Sequence, residues 1–187
     1  MEFSDRELVQ RCQSGETSAF QELVSRYHQK IYMVILGLLR DREDAMEVAQ
    51  ETFFRAYRKI KGFEGGSSFY TWLYRIAVNM AIDAQRRRKR NPLDFRETMD
   101  EALEQQNEVE KDPFLSVHDK ELREKLVAAI NELTPEHKAV IVLRTIEGLS
   151  YKDIGEILGC SEGTVMSRLH YARKKLQDKL SAFYERL

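Results

Sequence analysis

Residues 149–176, LSYKDIGEILGCSEGTVMSRLHYARKKL, carry the pattern of a helix-turn-helix unit. Ser150 and Asp153 form a capping pair for a short helix, and Gly159 suits the left-handed residue that ends a helix. A second helix begins after Ser161, and its apolar residues form one narrow stripe at spacings of four, three and four: Val165, Leu169, Ala172 and Leu176. The same pattern also fits a surface helical hairpin with a basic tail.

The face of this second helix opposite the apolar stripe is polar and basic. The residues opposite the stripe and on its flanks are Ser167, His170, Lys174, Met166, Tyr171 and Arg173. A short helix, a tight turn and a second helix with such a face suit the major groove of duplex DNA. The pattern therefore favours a DNA-reading unit over a plain hairpin.

The composition predicts an all-α protein. The chain has 187 residues, of which 42% are apolar and 33% charged, with only three prolines and nine glycines. Apolar residues recur with helical periodicity, and no run alternates between apolar and polar residues as a strand would. This apolar content is sufficient for a buried core.

The N-terminus and the cysteines indicate a cytoplasmic protein that does not insert into a membrane. The first residues, MEFSDRELVQ, lack the features of a signal peptide, and the longest apolar run, Tyr32–Leu39, is too short to span a bilayer. Cys12 and Cys160 lie far apart, which indicates a reducing compartment and neither a disulfide framework nor a metal site. We expect no cofactor, since no Gly-rich phosphate loop is present.

Charge is segregated along the chain and predicts two domains. Residues 91–120 hold three basic and nine acidic side chains, contain two of the prolines and lose helical periodicity. We therefore predict two small helical domains joined by an acidic linker, the C-terminal one a helix-turn-helix. The predicted bounds are 1–90 for the first domain, 91–118 for the linker and 119–187 for the second domain.

Three helices are predicted at the start of the first domain. Ser4 and Glu7 form a capping box for the first, a second runs from Thr17 or Ser18 to Leu39, and a third runs from about Arg42 to Lys61. One face of the third helix is charged, with Asp44, Glu47, Glu51, Arg55 and Arg58. Such a face is commonly a solvated one stabilised by ion pairs such as Glu51–Arg55.

A glycine-bearing loop and a fourth helix, FYTWLYRIAVNMAIDAQRRRKR, complete this domain. We expect its core face to be formed by Phe69, Trp72, Leu73, Ile76, Ala77, Met80 and Ala84, and its opposite side to present Tyr70, Tyr74, Arg75 and Val78. Aromatic rings and an arginine beside the run Arg86–Arg90 suit melted nucleic acid. The alternative is that the rings fill the core, as we prefer for Trp72, and that the basic run is a solvated helix end.

The second domain is predicted to start near Asp119. A first helix carries Leu122, Leu126, Ile130 and Leu133 on one side, and Thr134 with Pro135 marks the start of the next helix. On that helix, the side chains expected to face the core are Val140, Ile141, Leu143 and Ile146. The helix-turn-helix follows.

Three segments together resemble one protein family. DAMEVAQETFFRAYRKI, FYTWLYRIAVNMAID and the helix-turn-helix stretch, in this order and spacing, are similar to the extracytoplasmic-function sigma factors of bacterial RNA polymerase. The resemblance covers the chain from about Phe20 onward, except for the acidic linker. It implies a dissociable, non-enzymatic initiation subunit that recruits core RNA polymerase to promoters with a −10 and a −35 element.

The resemblance also implies the partners and the surface that binds polymerase. The third helix corresponds to the family segment that docks on the clamp helices of the largest polymerase subunit, and its candidate contacts are Asp44, Glu47, Gln50, Glu51 and Phe54. Further implied partners are the flap of the second-largest subunit, promoter DNA and an anti-sigma factor. The acidic linker would follow the basic nucleic-acid channel of the polymerase.

The resemblance also implies which residues contact each of the two promoter elements. For −10 recognition and melting, which requires no nucleotide hydrolysis, the candidates are Lys61, Phe63, Ser68, Tyr70, Tyr74, Arg75, Asn79, Arg86, Arg87 and Arg88. For −35 recognition they are Lys152, Ser161, Gly163, Thr164, Met166, Ser167, Arg168, His170, Tyr171, Arg173 and Lys174. Many members have arginine where Met166 and Tyr171 stand, and methionine cannot make the paired hydrogen bonds of arginine to guanine, so the −35 sequence stays open.

Two other classes of protein fit the sequence less well. A freestanding helix-turn-helix regulator would be a dimer that reads a palindrome, and no dimerisation seam is evident in the sequence. A helical enzyme would need a nucleophile–base or metal-ligand motif, whereas His28, His118, His137 and His170 are scattered.

Overall fold

The computed structural model describes residues 3–90 and 125–184, and every regular element in these ranges is helical. The helices are α1 (Asp5–Gln13), α2 (Thr17–Leu39), α3 (Arg42–Lys59), α4 (Phe69–Arg90), α5 (residues 125–131), α6 (Pro135–Ile146), α7 (Tyr151–Leu158) and α8 (Glu162–Tyr184), with a 3-10 turn (Ile60–Gly62) after α3. The all-α prediction is confirmed. The predicted linker (91–118) and Leu122 lie outside the described residues.

Capping residues fix where the first helices begin. The Ser4 amide donates to Glu7 Oε2 at 2.7 Å and the Glu7 amide donates to Ser4 Oγ at 3.3 Å, which is the predicted capping box. The Asp41 side chain accepts from the Asp44 amide at 2.9 Å and starts α3. Between them, α2 ends at Leu39, and the C-cap residue Arg40 has a φ of 61° in the left-handed region.

Helices α2, α3 and α4 pack around the core of the first domain. The contacts use small residues where helices approach and large ones between them: Leu23, Ile31, Leu38, Ala45, Ala49, Phe53, Ala56, Leu73 and Ala77 are buried. Thr52 is also fully buried, and its hydroxyl donates to the carbonyl oxygen of Val48 at 2.7 Å. The buried residues of α2 and α3 thus recur at helical spacing and form one face of each helix.

Helices α7 and α8, with three residues between them, occupy the segment for which the sequence predicts a helix-turn-helix. Thr134 caps α6 with Pro135 at its start, and the hydroxyl of Ser150 accepts from the Asp153 amide at 3.1 Å. Gly159 ends α7 with a φ of 64°. The turn is tight, because a Cβ at Gly155 would lie only 2.7 Å from the carbonyl oxygen of Cys160.

The helices of the two predicted domains pack directly against each other. Helix α2 lies against α6, helix α4 lies against α7 and α6, and the buried residues of both domains form one continuous hydrophobic cluster. Gly37 allows the closest approach, since a Cβ there would lie 2.8 Å from Ile146 Cδ1 and 3.1 Å from Val142 Cγ1. A pattern of two domains on a tether does not predict this contact.

Four expectations about individual helices need correction. Helix α3 ends at Lys59 rather than Lys61, because the chain tightens into the 3-10 turn. Ile146 is 41% exposed rather than turned fully inward, and Leu133 lies beyond the end of α5. Most importantly, Tyr74 and Val78 are fully buried, because the second domain covers the side of α4 that was expected to face solvent.

Candidate nucleic-acid and protein interfaces

The outer face of α8 presents the −35 candidates as a polar surface. The Ser161 hydroxyl accepts from the Thr164 amide at 3.2 Å, and burial of Val165, Leu169 and Ala172 fixes the rotation of the helix. That rotation exposes the outward residues: Gly163, Met166, Ser167, His170, Tyr171, Arg173 and Lys174, with Lys152 and Ser161 exposed beside them. The −35 candidates named here are thus exposed on the outer face of α8 or beside it.

Arg168 and Tyr171 have neighbours that the sequence did not predict. The guanidinium of Arg168 is half-buried and reaches back to Cys160 Sγ at 3.8 Å, so it does not lie with the outward residues. The ring of Tyr171 packs on that of His137, with centroids 4.7 Å apart. Burial and the charge of Arg168 lower the pKa of His137. A neutral His137 is therefore the form that supports Tyr171 at neutral pH.

The outer face of α3 combines acidic and apolar side chains. Glu47 and Gln50 are exposed, Phe54 is 55% exposed, and Glu51 pairs with Arg55 at 2.8 Å. Met46 and Tyr57, which the sequence did not single out, extend the same surface. An exposed apolar strip bordered by charges is typical of a surface that binds another protein.

Asp44 differs from the other candidates on α3. It pairs with Arg88 of α4, which also contacts Asp41 at 3.1 Å. One candidate for polymerase binding and one for phosphate binding therefore neutralise each other within the first domain. Arg86 and Arg87 are both exposed, and Arg86 pairs with Glu136 of the second domain at 2.9 Å.

The loop between α3 and α4 is held in a defined shape. The side-chain amide of Gln13 donates to the carbonyl oxygens of Ile60 at 3.0 Å and Phe63 at 2.8 Å. The Phe63 ring packs on Trp72 with centroids 5.0 Å apart, and Trp72 keeps part of its ring exposed. Lys61 is exposed at the edge of this loop. No sequence pattern links Gln13 to a loop about 50 residues away.

The start of α4 carries a cap and a pair of tyrosines. Ser68 is exposed, and its hydroxyl accepts from the Thr71 amide at 3.0 Å, so this −10 candidate is also the helix cap. The rings of Tyr70 and Tyr74 lie 4.2 Å apart. Burial raises the pKa of both phenols, and Glu147 raises that of Tyr74 further. Both tyrosines are therefore neutral hydrogen-bond donors at physiological pH.

A cleft of about 320 Å³ lies beside the contact between α4 and the second domain. It is lined by Asn79, Ile82, Asp83, Arg86, Glu136, Leu158 and Arg168. The cleft thus brings −10 candidates of the first domain within reach of a −35 candidate of the second. Its charges of both signs distinguish it from a uniformly basic DNA groove.

Metal and membrane features are absent from the part of the chain that the structure covers. Within residues 3–90 and 125–184, no three His, Cys, Asp or Glu side chains gather as metal ligands. No helix among the same residues has the length and apolar character needed to cross a bilayer.

Family models match both domains. The model described as Sigma-70 region 2 matches residues 23–91, and the model described as Sigma-70, region 4 matches residues 123–176. The first contains α3, the loop and α4, and the second contains the helix-turn-helix. The chain thus has the paired modules of a sigma-70-type protein.

Individual relatives show which family of sigma factors the chain resembles. The chain is 40% identical over 186 residues to the ECF RNA polymerase sigma-E factor of Haemophilus influenzae, covering 96% of each chain. It is 37% identical over 180 residues to the RNA polymerase sigma-H factor of Pseudomonas aeruginosa, covering 94% of this chain and 93% of that one. The chain therefore belongs to the extracytoplasmic-function family of RNA polymerase sigma factors.

A solved structure supports the same placement. CnrH, solved in complex with the cytosolic domain of CnrY, superposes with a TM-score of 0.69 at 26% sequence identity, over 95% of this chain and 97% of that one. The fold resemblance thus extends over both domains.

Proposed function

We propose that this sigma factor binds core RNA polymerase through the outer face of α3. Glu47, Gln50, Glu51 and Phe54 form an acidic and apolar surface there, and none of them contacts the second domain in a hydrogen bond or ion pair that the structure records. Acidic side chains beside an exposed aromatic ring complement a basic, partly apolar helix pair, such as the clamp helices of the largest subunit. Asp44 would join this contact only after its pairing with Arg88 is released.

The outer face of α8 is proposed to read the −35 element. Ser167 and His170 lie at its centre, Met166 and Tyr171 on its flanks, and Lys174 nearer the end of the helix, where a cation would pair with phosphate. Because Met166 offers an apolar contact instead of a guanidinium, we expect thymine methyl groups to be preferred over guanine at its position.

The loop and the start of α4 are proposed to open the −10 element. Unstacking a base costs a few kcal/mol. Stacking on aromatic rings such as Phe63 or Tyr70 returns about 1–3 kcal/mol per base, so binding alone can sustain melting. The exposed Lys61 is suited to a phosphate beside such a base, and the exposed Arg87, near the other end of α4, to a phosphate farther along the strand.

We further propose a two-domain organisation with bounds 1–90 and 119–187, a linker that follows the polymerase channel, and restraint by an anti-sigma factor in the cytoplasm. The proposal of a partner draws on CnrH, which is solved in complex with the cytosolic domain of CnrY. A flap contact of the second domain would complete the attachment to polymerase.

One observation carries the proposal as a whole: a preformed helix-turn-helix surface and a loop-plus-aromatic surface occur on one chain, in the order of the family models. The test is to mix the protein with core polymerase and a library of promoters and to sequence the transcripts. We expect initiation from a shared two-part motif. Absence of any specific initiation, together with absence of binding to core polymerase, would overturn the proposal.

A further inference from the structure

The ring of Tyr171, on the proposed −35 surface, packs on a residue outside the helix-turn-helix. Its centroid lies 4.7 Å from that of His137, in the first turn of α6, and the two ring planes are 33° apart. This separation is within the range of favourable aromatic pairs. Tyr171 remains 55% exposed, so His137 covers one part of the phenol and leaves the rest open to a ligand.

His137 is itself held in place by the residue that caps α6. Its amide donates to Thr134 Oγ1 at 3.3 Å, and its ring nitrogen Nδ1 lies 2.7 Å from the same oxygen. The threonine therefore restrains both the backbone and the imidazole of His137. An imidazole restrained in this way offers Tyr171 a fixed support.

The same side of α8 makes two further contacts with the corner between α5 and α6. Lys175 Nζ donates to the carbonyl oxygen of Glu132 at 2.9 Å, and Lys179 Nζ pairs with Glu132 Oε1 at 2.9 Å. Tyr171, Lys175 and Lys179 follow each other at intervals of four, so they form one stripe along the helix. The three contacts hold α8 in register against the start of α6, and Tyr171 is the member of the stripe that is a −35 candidate.

Support of the ring matters because the polar contact of a tyrosine is a single hydroxyl. A guanidinium donates two parallel hydrogen bonds to guanine, and their paired geometry selects the base. A phenol offers one donor and one acceptor at the same atom, so its selectivity depends on the direction in which the ring points. On an exposed helix face, an unsupported ring would occupy more than one rotamer.

We propose that His137 is a positioning residue for −35 recognition, which holds the ring of Tyr171 in one orientation toward the DNA. This inference rests on the proposed function and adds to the −35 surface a residue that acts through another side chain. The effect of His137 on base preference is transmitted by Tyr171 alone.

The experiment uses the holoenzyme, assembled from core polymerase and the full chain, with a promoter library whose −35 segment is randomised. A transcribed barcode identifies each promoter, so sequencing the transcripts gives the base preference at each −35 position. The variants are His137→Ala, His137→Phe, Tyr171→Ala and the combination of His137→Ala with Tyr171→Ala.

The base position that loses preference in Tyr171→Ala identifies the contact of the tyrosine. At that position we expect His137→Ala to lower the preference about two- to tenfold, since an unsupported side chain must be immobilised on binding. His137→Phe keeps a flat ring beneath Tyr171 and should retain most of the preference. Adding His137→Ala to Tyr171→Ala should cause no further loss.

Val142→Ala is the matched control for a loss of stability. Val142 is buried on the same helix as His137, and its Cγ1 points toward Gly37 of α2, where a Cβ would lie 3.1 Å from it. This variant should lower the urea midpoint of the protein and leave the −35 preference unchanged.

Two results would overturn the inference. An unchanged preference in either His137→Ala or Tyr171→Ala would mean that the ring pair does not take part in reading the −35 element. A further loss on adding His137→Ala to Tyr171→Ala, or an equal loss in Val142→Ala, would mean that His137 does not act through Tyr171. Either result leaves the proposed function intact, because that proposal fails only if the wild-type chain neither binds core polymerase nor directs initiation.

Discussion

A methyl group added at Gly155 should expose how closely the turn of the helix-turn-helix approaches α7. The added Cβ would lie 2.7 Å from the carbonyl oxygen of Cys160, whereas ordinary contacts begin at 3.4 Å. The obstacle is backbone, so the turn itself must move by several tenths of an ångström. Overpacking of this kind costs about 1–3 kcal/mol, against a gain of about 1 kcal/mol from the higher helix propensity of alanine.

Gly163→Ala is the matched control for this substitution. Gly163 is also helical, but the nearest atom to an added Cβ is Ser161 Oγ at 3.9 Å, so the variant gains helix propensity without a clash. We expect the free energy of unfolding of Gly155→Ala to be lower than that of Gly163→Ala by about 1–3 kcal/mol. Urea denaturation followed by far-UV circular dichroism measures the difference. Equal stabilities would refute the close approach of the turn to α7.

Further substitutions test the surfaces and the core of the second domain. Reversing the charges of Glu47 and Glu51 to lysine should weaken binding to core polymerase at least about tenfold, with an unchanged circular dichroism spectrum; unchanged affinity removes this face from the docking surface. Ser167→Ala should alter base preference in a promoter selection, and Lys174→Ala should lower the salt slope of DNA binding by about 1 without altering preference. Val165→Asp places an unpaired charge at a fully buried position and should lower the free energy of unfolding by more than about 3 kcal/mol, as measured by urea denaturation. A cooperative transition at the wild-type midpoint would contradict that placement.

Local patterns correctly predict the features of the fold that depend on neighbours in sequence. Ser4, Thr134 and Ser150 cap the helices that their positions predict, and Gly159 adopts the left-handed conformation expected after α7. Caps are local because donor and acceptor lie three residues apart, so one chain segment contains the whole interaction. The start of α4 follows from its sequence for the same reason, because the Ser68 hydroxyl accepts from the Thr71 amide three residues on.

Helix α4 shows where a single amphipathic stripe misleads. Phe69, Leu73 and Ala77 define one apolar side, and the sequence interpretation therefore assigned the opposite side to solvent. Tyr74 and Val78 form a second apolar stripe on that side, which is the signature of a helix covered on two faces. The sequence contains this second stripe, but the residues that cover it lie far away in the chain. Glu147, which accepts a hydrogen bond from the Tyr74 hydroxyl, is more than 60 residues from it.

Positions where a helix backbone closely approaches another part of the chain leave no periodic pattern in the sequence. Gly37 and Gly155 each make room for a distant or non-adjacent part of the chain, and in sequence both resemble weak points in a helix. Their role depends on tertiary geometry, so the structure was needed to assign it.

The double hydrogen bond from Gln13 to the loop after α3 has a consequence for binding energetics. Fixing one residue of backbone costs about 1–2 kcal/mol in conformational entropy, and here that cost is met during folding, before any ligand arrives. A ligand that binds this loop contacts a surface that is already ordered, so less of its binding free energy is lost to ordering the loop. Under the proposed function, helix α1 would thereby contribute to DNA recognition although it carries no candidate contact residue of its own.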